Sequence, residues 1–86
     1  MTQVINQEVH VNAVYFAGAE LRTFPREIEY NGQAVTFLDG LRYLVQRGSE
    51  AVRVFDMSAT DGQTYRLRQD GAHWTLLGLR REEVAV

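Results

Sequence analysis

In the stretch Arg26-Glu27-Ile28-Glu29-Tyr30-Asn31-Gly32-Gln33-Ala34-Val35-Thr36-Phe37, a central Asn-Gly separates two alternating segments. Asn-Gly suits two-residue type I′ hairpin loops, in which both central residues need φ > 0. With Asn31 and Gly32 as the loop, Tyr30 faces Gln33, Ile28 faces Val35 and Arg26 faces Phe37. Ile28, Tyr30, Val35 and Phe37 then share one face, and Glu27, Glu29 and Thr36 share the other. Turn chemistry and hydrophobic alternation thus agree on one register. Pro25, the only proline, stands at the mouth of the hairpin, where an edge strand tolerates a missing N–H.

The same logic extends to the second half. Asp61-Gly62 and Asp70-Gly71, taken as two-residue loops, predict a three-stranded meander. The first pairs Ser58 with Tyr65, Asp56 with Leu67 and Val54 with Gln69. The second pairs Leu67 with Trp74 and Tyr65 with Leu76. One face then collects Val52, Val54, Tyr65, Leu67, Trp74 and Leu76 as the expected core. The opposite face collects Phe55, Met57, Arg66, Arg68, His73, Thr75 and Leu77, with Arg68 opposite Phe55 and His73.

A first strand is expected from Glu8 to Phe16, ended by Ala17-Gly18-Ala19. Leu38, Leu41, Leu44 and Val45 have the spacing of a helix face, with Asp39 as N-cap and Gly48 as stop. A strand continuing through Leu41 to Val45 is the competing assignment, and Gly40 tips the balance to a short helix. The expected fold is mainly β, a bent antiparallel sheet or small SH3-like barrel of five to six strands, with one short helix at most. The 86 residues form a single domain, 1–86. A chain this short needs one continuous core, and with no cysteine it has no disulfide to help.

From Phe24 to Leu79 the order of features resembles a group of small uncharacterised bacterial β-domains. The stretches that carry the resemblance are Phe24-Pro25-Arg26-Glu27-Ile28-Glu29-Tyr30-Asn31-Gly32, Tyr65-Arg66-Leu67-Arg68 and His73-Trp74-Thr75-Leu76. Such domains look to have a tryptophan in the linker where this chain has Tyr43. The resemblance implies a β fold and carries over no particular activity.

Chemistry-bearing clusters are sparse. Two histidines, His10 and His73, without cysteine fall short of the three or four ligands a zinc site needs, so no metal or cofactor is expected. Glu27 and Glu29 alternate with Ile28 and Tyr30 on a solvated face, and Asp61 and Asp70 are consumed by turns. Ser49 and Ser58 lack a nucleophile elbow, and the dispersed glycines form no phosphate loop. No enzymatic activity is expected. All nine basic residues are arginine, which excludes lysine chemistry; codon bias explains this more simply than selection for bidentate contacts. The N-terminus lacks the pattern of a signal peptide, and no stretch reaches the roughly 20 apolar residues of a membrane span, so a cytoplasmic protein is expected. The candidate binding residues are Phe55, Met57, Arg66, Arg68 and His73. They suggest a non-enzymatic binding module for a protein partner or a second copy of the chain. The alternative is a single-stranded nucleic-acid binder that stacks bases on Phe55, although a net charge of −2 argues against binding through bulk charge.

Overall fold

A computed structural model describes residues 2–81 of the chain. Six antiparallel strands, β1 (Thr2–Ala17), β2 (Arg22–Tyr30), β3 (Gln33–Arg47), β4 (Glu50–Ala59), β5 (Gln63–Asp70) and β6 (His73–Arg81), close as an up-and-down barrel. There is no helix among the described residues. The barrel closes where Thr2–Val9 of β1 pairs with Trp74–Arg80 of β6.

Two long strands each serve two neighbours. β1 pairs with β6 through its first half and with β2 from His10 to Ala17. Asn6, at φ 53°, lies in an irregularity of the β1–β6 ladder between Val4 and Gln7, and β1 passes from β6 to β2 between Val9 and His10. β3 pairs with β2 only through Gln33–Thr36, and from Phe37 to Arg47 it pairs with β4. A bulge between Phe37 and Asp39 makes that change of partner, as bulges bend and re-aim strands.

The Leu38–Val45 segment is therefore strand, and the expected helix does not form. Gly40, which argued against a strand, is what permits this one. A Cβ there would overlap Met57 Sδ and come within 2.6 Å of the Asp56 carbonyl oxygen. Glycine inside a strand often marks such close backbone approach.

Of the five hairpin loops, the three expected from their Asn-Gly and Asp-Gly pairs diverge in the way that matters most. Asn31 and Gly32 have φ of 52° and 73°, both positive as a type I′ loop requires, and Tyr30 pairs with Gln33 as expected. In the next loop Gly62 has φ 81° but Asp61 is not in the left-handed region. Thr60 joins them in a three-residue loop, and Asp61 Oδ1 accepts the Gln63 backbone N–H at 2.9 Å. Three-residue loops with a left-handed glycine last are the next most common hairpin connection. The register moves by one: Met57 faces Tyr65, Asp56 faces Arg66 and Phe55 faces Leu67. In the third loop Gly71 and Ala72 are central, with Gly71 at φ 58°, and Asp70 pairs with His73. Leu67 then faces Leu76 instead of Trp74. This displacement is even, so every side chain of β6 keeps its expected face.

A one-residue slip exchanges the faces of a strand. Phe55 and Met57, expected on the outer binding face, are 1% and 0% exposed and belong to the core. They join Val9, Ile28, Phe37, Ala59, Tyr65, Leu67, Trp74 and Leu76 inside the barrel. Val52 and Val54, expected inside, point outward. A run of rings crosses the interior: Tyr15 stacks on Phe24 at 5.4 Å, Phe24 meets Phe55 edge-on at 6.0 Å, and Phe55 lies 5.1 Å from Trp74. Such pairs add about 0.5–1.5 kcal/mol each beyond burial.

Phe55→Ala should therefore cost about 3–5 kcal/mol and Met57→Ala about 2–5 kcal/mol, large fractions of a small domain's stability. Outward-facing Val52→Ala should cost far less. Urea denaturation orders the three, and a Phe55→Ala protein as stable as the parent would refute this register. Gly40→Ala should destabilise as severely as a core truncation in the same measurement.

Candidate functional site

The outer surface of β3, β4, β5, β6 and the start of β1 forms an open groove of about 510 Å³. Its construction follows from the registers. Tyr43 and Val45 of β3 face Val54 and Val52 of β4, and Val54 and Asp56 face Arg68 and Arg66 of β5. All of these side chains point away from the core and line the groove, with Leu77 and Val4 contributed by β6 and β1. Leu77 reaches it at a register shift where Arg66 faces Gly78 and Leu67 faces Leu76. Val54, flanked on this face by Tyr43 and Arg68, is only 5% exposed and forms an apolar floor.

A fixed polar array crosses that floor. Tyr43 Oη donates to Asp56 Oδ2 at 2.9 Å. Arg66 grips the same carboxylate with two bonds, Nε to Oδ1 at 2.8 Å and Nη2 to Oδ2 at 3.2 Å. Bidentate pairs of this kind add orientation more than energy at an exposed position. The guanidinium gains from Asp56 and its pKa rises, while burial, followed by the Asp56 carboxylate, raises that of Tyr43. Arg68 is held by Asp70, Nε to Oδ2 at 2.7 Å. Arg47 and Arg80 also line the groove, so among the described residues four arginines face one lining carboxylate, Asp56.

Of the sequence-derived site residues, Arg66 and Arg68 share this groove and Phe55 and Met57 do not. His73 is outward, as expected, but pairs with Asp70 rather than facing Arg68. Its side chain is largely exposed and its Nδ1 lies 3.8 Å from Glu8 Oε2. Tyr43, Val52, Val54 and Asp56 went unassigned to the site. One signal could have found them. An inward face running Val52-Val54-Asp56-Ser58 would bury a carboxylate, whereas Phe55-Met57-Ala59 is apolar throughout.

Two further arginines close one end of the barrel. Arg42 donates from Nη1 to the Thr23 carbonyl at 3.1 Å, with its guanidinium 5.8 Å from the Phe55 ring. Arg53, across from Leu44 and Gln69, donates from Nη1 to Gln69 Oε1 at 3.4 Å. Among the described residues, no three His, Asp or Glu side chains gather in a metal-binding group.

Tyr65 donates to Asp61 Oδ2 at 2.6 Å, locking the three-residue loop to the core. Burial, reinforced by Asp61, raises its pKa well above that of an ordinary phenol. The unfolded chain, with tyrosines near pKa 10, releases this proton first. The contribution to stability is thus complete below about pH 10 and is lost as pH climbs toward the folded value. Tyr65→Phe should cost about 1 kcal/mol at neutral pH and flatten the alkaline fall in stability. Denaturation at a series of pH values, with tyrosinate absorbance as a second probe, checks both.

A comparison with protein-family models, curated proteins and solved structures finds no match to this chain.

Proposed function

We propose that the chain is a non-enzymatic binding module whose outer groove receives a segment of a protein partner carrying apolar side chains and carboxylates. The observation that carries this is the groove's composition: a valine floor crossed by the Tyr43–Asp56–Arg66 array and edged by further arginines. Apolar side chains seated on Val52 and Val54 would displace water from a largely preformed surface. Carboxylates would meet Arg68 and Arg47, giving the charge complementarity that steers encounter and excludes wrong partners. Single-stranded nucleic acid fits less well, because Phe55 is buried and Tyr43 is the only aromatic ring in the groove among the described residues. Base stacking is the main sequence-tolerant source of affinity for such ligands.

A photo-crosslinking side chain at Leu77, on the groove wall away from β3, should capture a partner in the native host, and one at Glu29, on another strand pair, should not. With the purified partner, Val52→Asp and Arg68→Glu should each weaken binding by about tenfold or more, since central apolar contacts and paired charges dominate interfaces. Circular dichroism should show the fold unchanged. Affinity indifferent to both substitutions would reject the groove. Tight, salt-sensitive binding of an oligonucleotide, lost in Arg68→Glu, would replace the protein partner with nucleic acid.

A further inference from the structure

From Leu38 to Arg47, β3 is hydrogen-bonded to β4 on one side only. Its other edge faces away from the ladder, because β2 leaves β3 after Glu27 and Thr36. Only side chains span the seam between them, Arg26 Nη1 to the Phe37 carbonyl at 3.3 Å and Arg42 Nη1 to the Thr23 carbonyl. Along this edge Leu38, Leu41, Leu44 and Val45 are 62%, 69%, 64% and 39% exposed. Natural proteins protect long apolar edges with charges, prolines or a cover, because unpaired backbone groups template another strand. This edge has no proline, and its charges are Asp39, Arg42 and Arg47, set among the exposed leucines.

We infer that the occupant is a second copy of the chain, joined β3 to β3 in antiparallel fashion about a two-fold axis at Tyr43. The choice of occupant rests on the edge's own charge pattern. A two-fold at Tyr43 sets Asp39 opposite Arg47 and Leu41 opposite Val45, each twice. On the other face Arg42 meets Leu44 and Gly40 meets Gln46. Asp39, the only acidic residue of the segment, thus meets a cation at both ends of the ladder, and no like charges stand opposite. Directly opposed pairs of opposite charge or apolar character stabilise a sheet, and like charges disfavour it. The pairing is isologous and closed, so it gives a dimer and no fibre. The two outer sheets become continuous across the axis, a consequence that does not depend on what the groove binds.

Sedimentation equilibrium over a wide concentration range should give twice the 9.8 kDa chain mass. Asp39→Arg places like charges opposite each other at two symmetric positions and should weaken association by about tenfold. Adding Arg47→Asp to Asp39→Arg should restore it, a rescue that a fold defect would not show. Since the chain lacks cysteine, Tyr43→Cys should form a symmetric disulfide dimer on mild oxidation, and Glu29→Cys should not. Monomers at every concentration, no rescue by the double exchange, or open-ended assembly would each overturn the inference. Arg68→Glu should leave the mass at two chains, which keeps this outcome separate from that of the groove.

Discussion

Thr60, Asp61 and Gly62 connect β4 to β5, and the odd length of that loop decides which side chains of β3 and β4 face the interior. Gly62 supplies the left-handed residue, and Asp61 spends its carboxylate on the Gln63 N–H and the Tyr65 hydroxyl. With the loop fixed, Phe55 meets Leu67 and Met57 meets Tyr65 across the ladder. Phe55 can then contact both Phe24 and Trp74, linking β2, β4 and β6 in one apolar cluster. The same parity sends Val54 and Asp56 outward to Arg68 and Arg66. Core and groove are two faces of one register, and neither can move without the other.

β3 solves a second problem, that of closing a barrel from strands too few to wrap smoothly. It abandons β2 at the Phe37–Asp39 bulge and continues along β4, with Gly40 letting the backbones approach at Met57. The ladder lost between β2 and β3 is replaced by the long side chains of Arg26 and Arg42, whose stems cover apolar surface while their heads cap carbonyls. Arg26 also lies 4.0 Å over the Tyr15 ring. The barrel therefore closes at the cost of one strand edge left without a backbone partner.

How much of this could be read in the sequence depended on how far each local signal reached. Asn31-Gly32 was legible because its loop and its hydrophobic alternation constrain each other. Asp61-Gly62 presents a similar dipeptide, but an aspartate can either adopt φ > 0 or keep negative φ and cap the turn with its carboxylate. Only the flanking strand could discriminate, and its signal is weak: Val52 and Val54 stand with Asp56 and Ser58 on one face, against Phe55, Met57 and Ala59 on the other. The slip at Gly71-Ala72 did no damage because an even displacement preserves faces, so the inward placement of Trp74, Leu67 and Leu76 survived. Gly40 misled because its value lies in a contact with β4, a tertiary fact that local propensity does not contain.

The formal charge of the chain also conceals what its surface does. A net charge of −2 describes the far field, whereas a partner at contact range meets groups within a Debye length of about 8 Å. Among the described residues Asp56 is the lining carboxylate, and it already accepts three hydrogen bonds from Tyr43 and Arg66, so it orients the groove more than it opposes an incoming anion. Arg66 in turn is fixed in place, and a ligand reaching it meets a guanidinium whose ordering cost was met on folding. Preorganisation of this kind favours binding because fewer side chains lose freedom at the moment of contact. The register that buries Phe55 thus removes an aromatic platform from the surface and leaves a pre-set array of tyrosine, aspartate and arginine in its place.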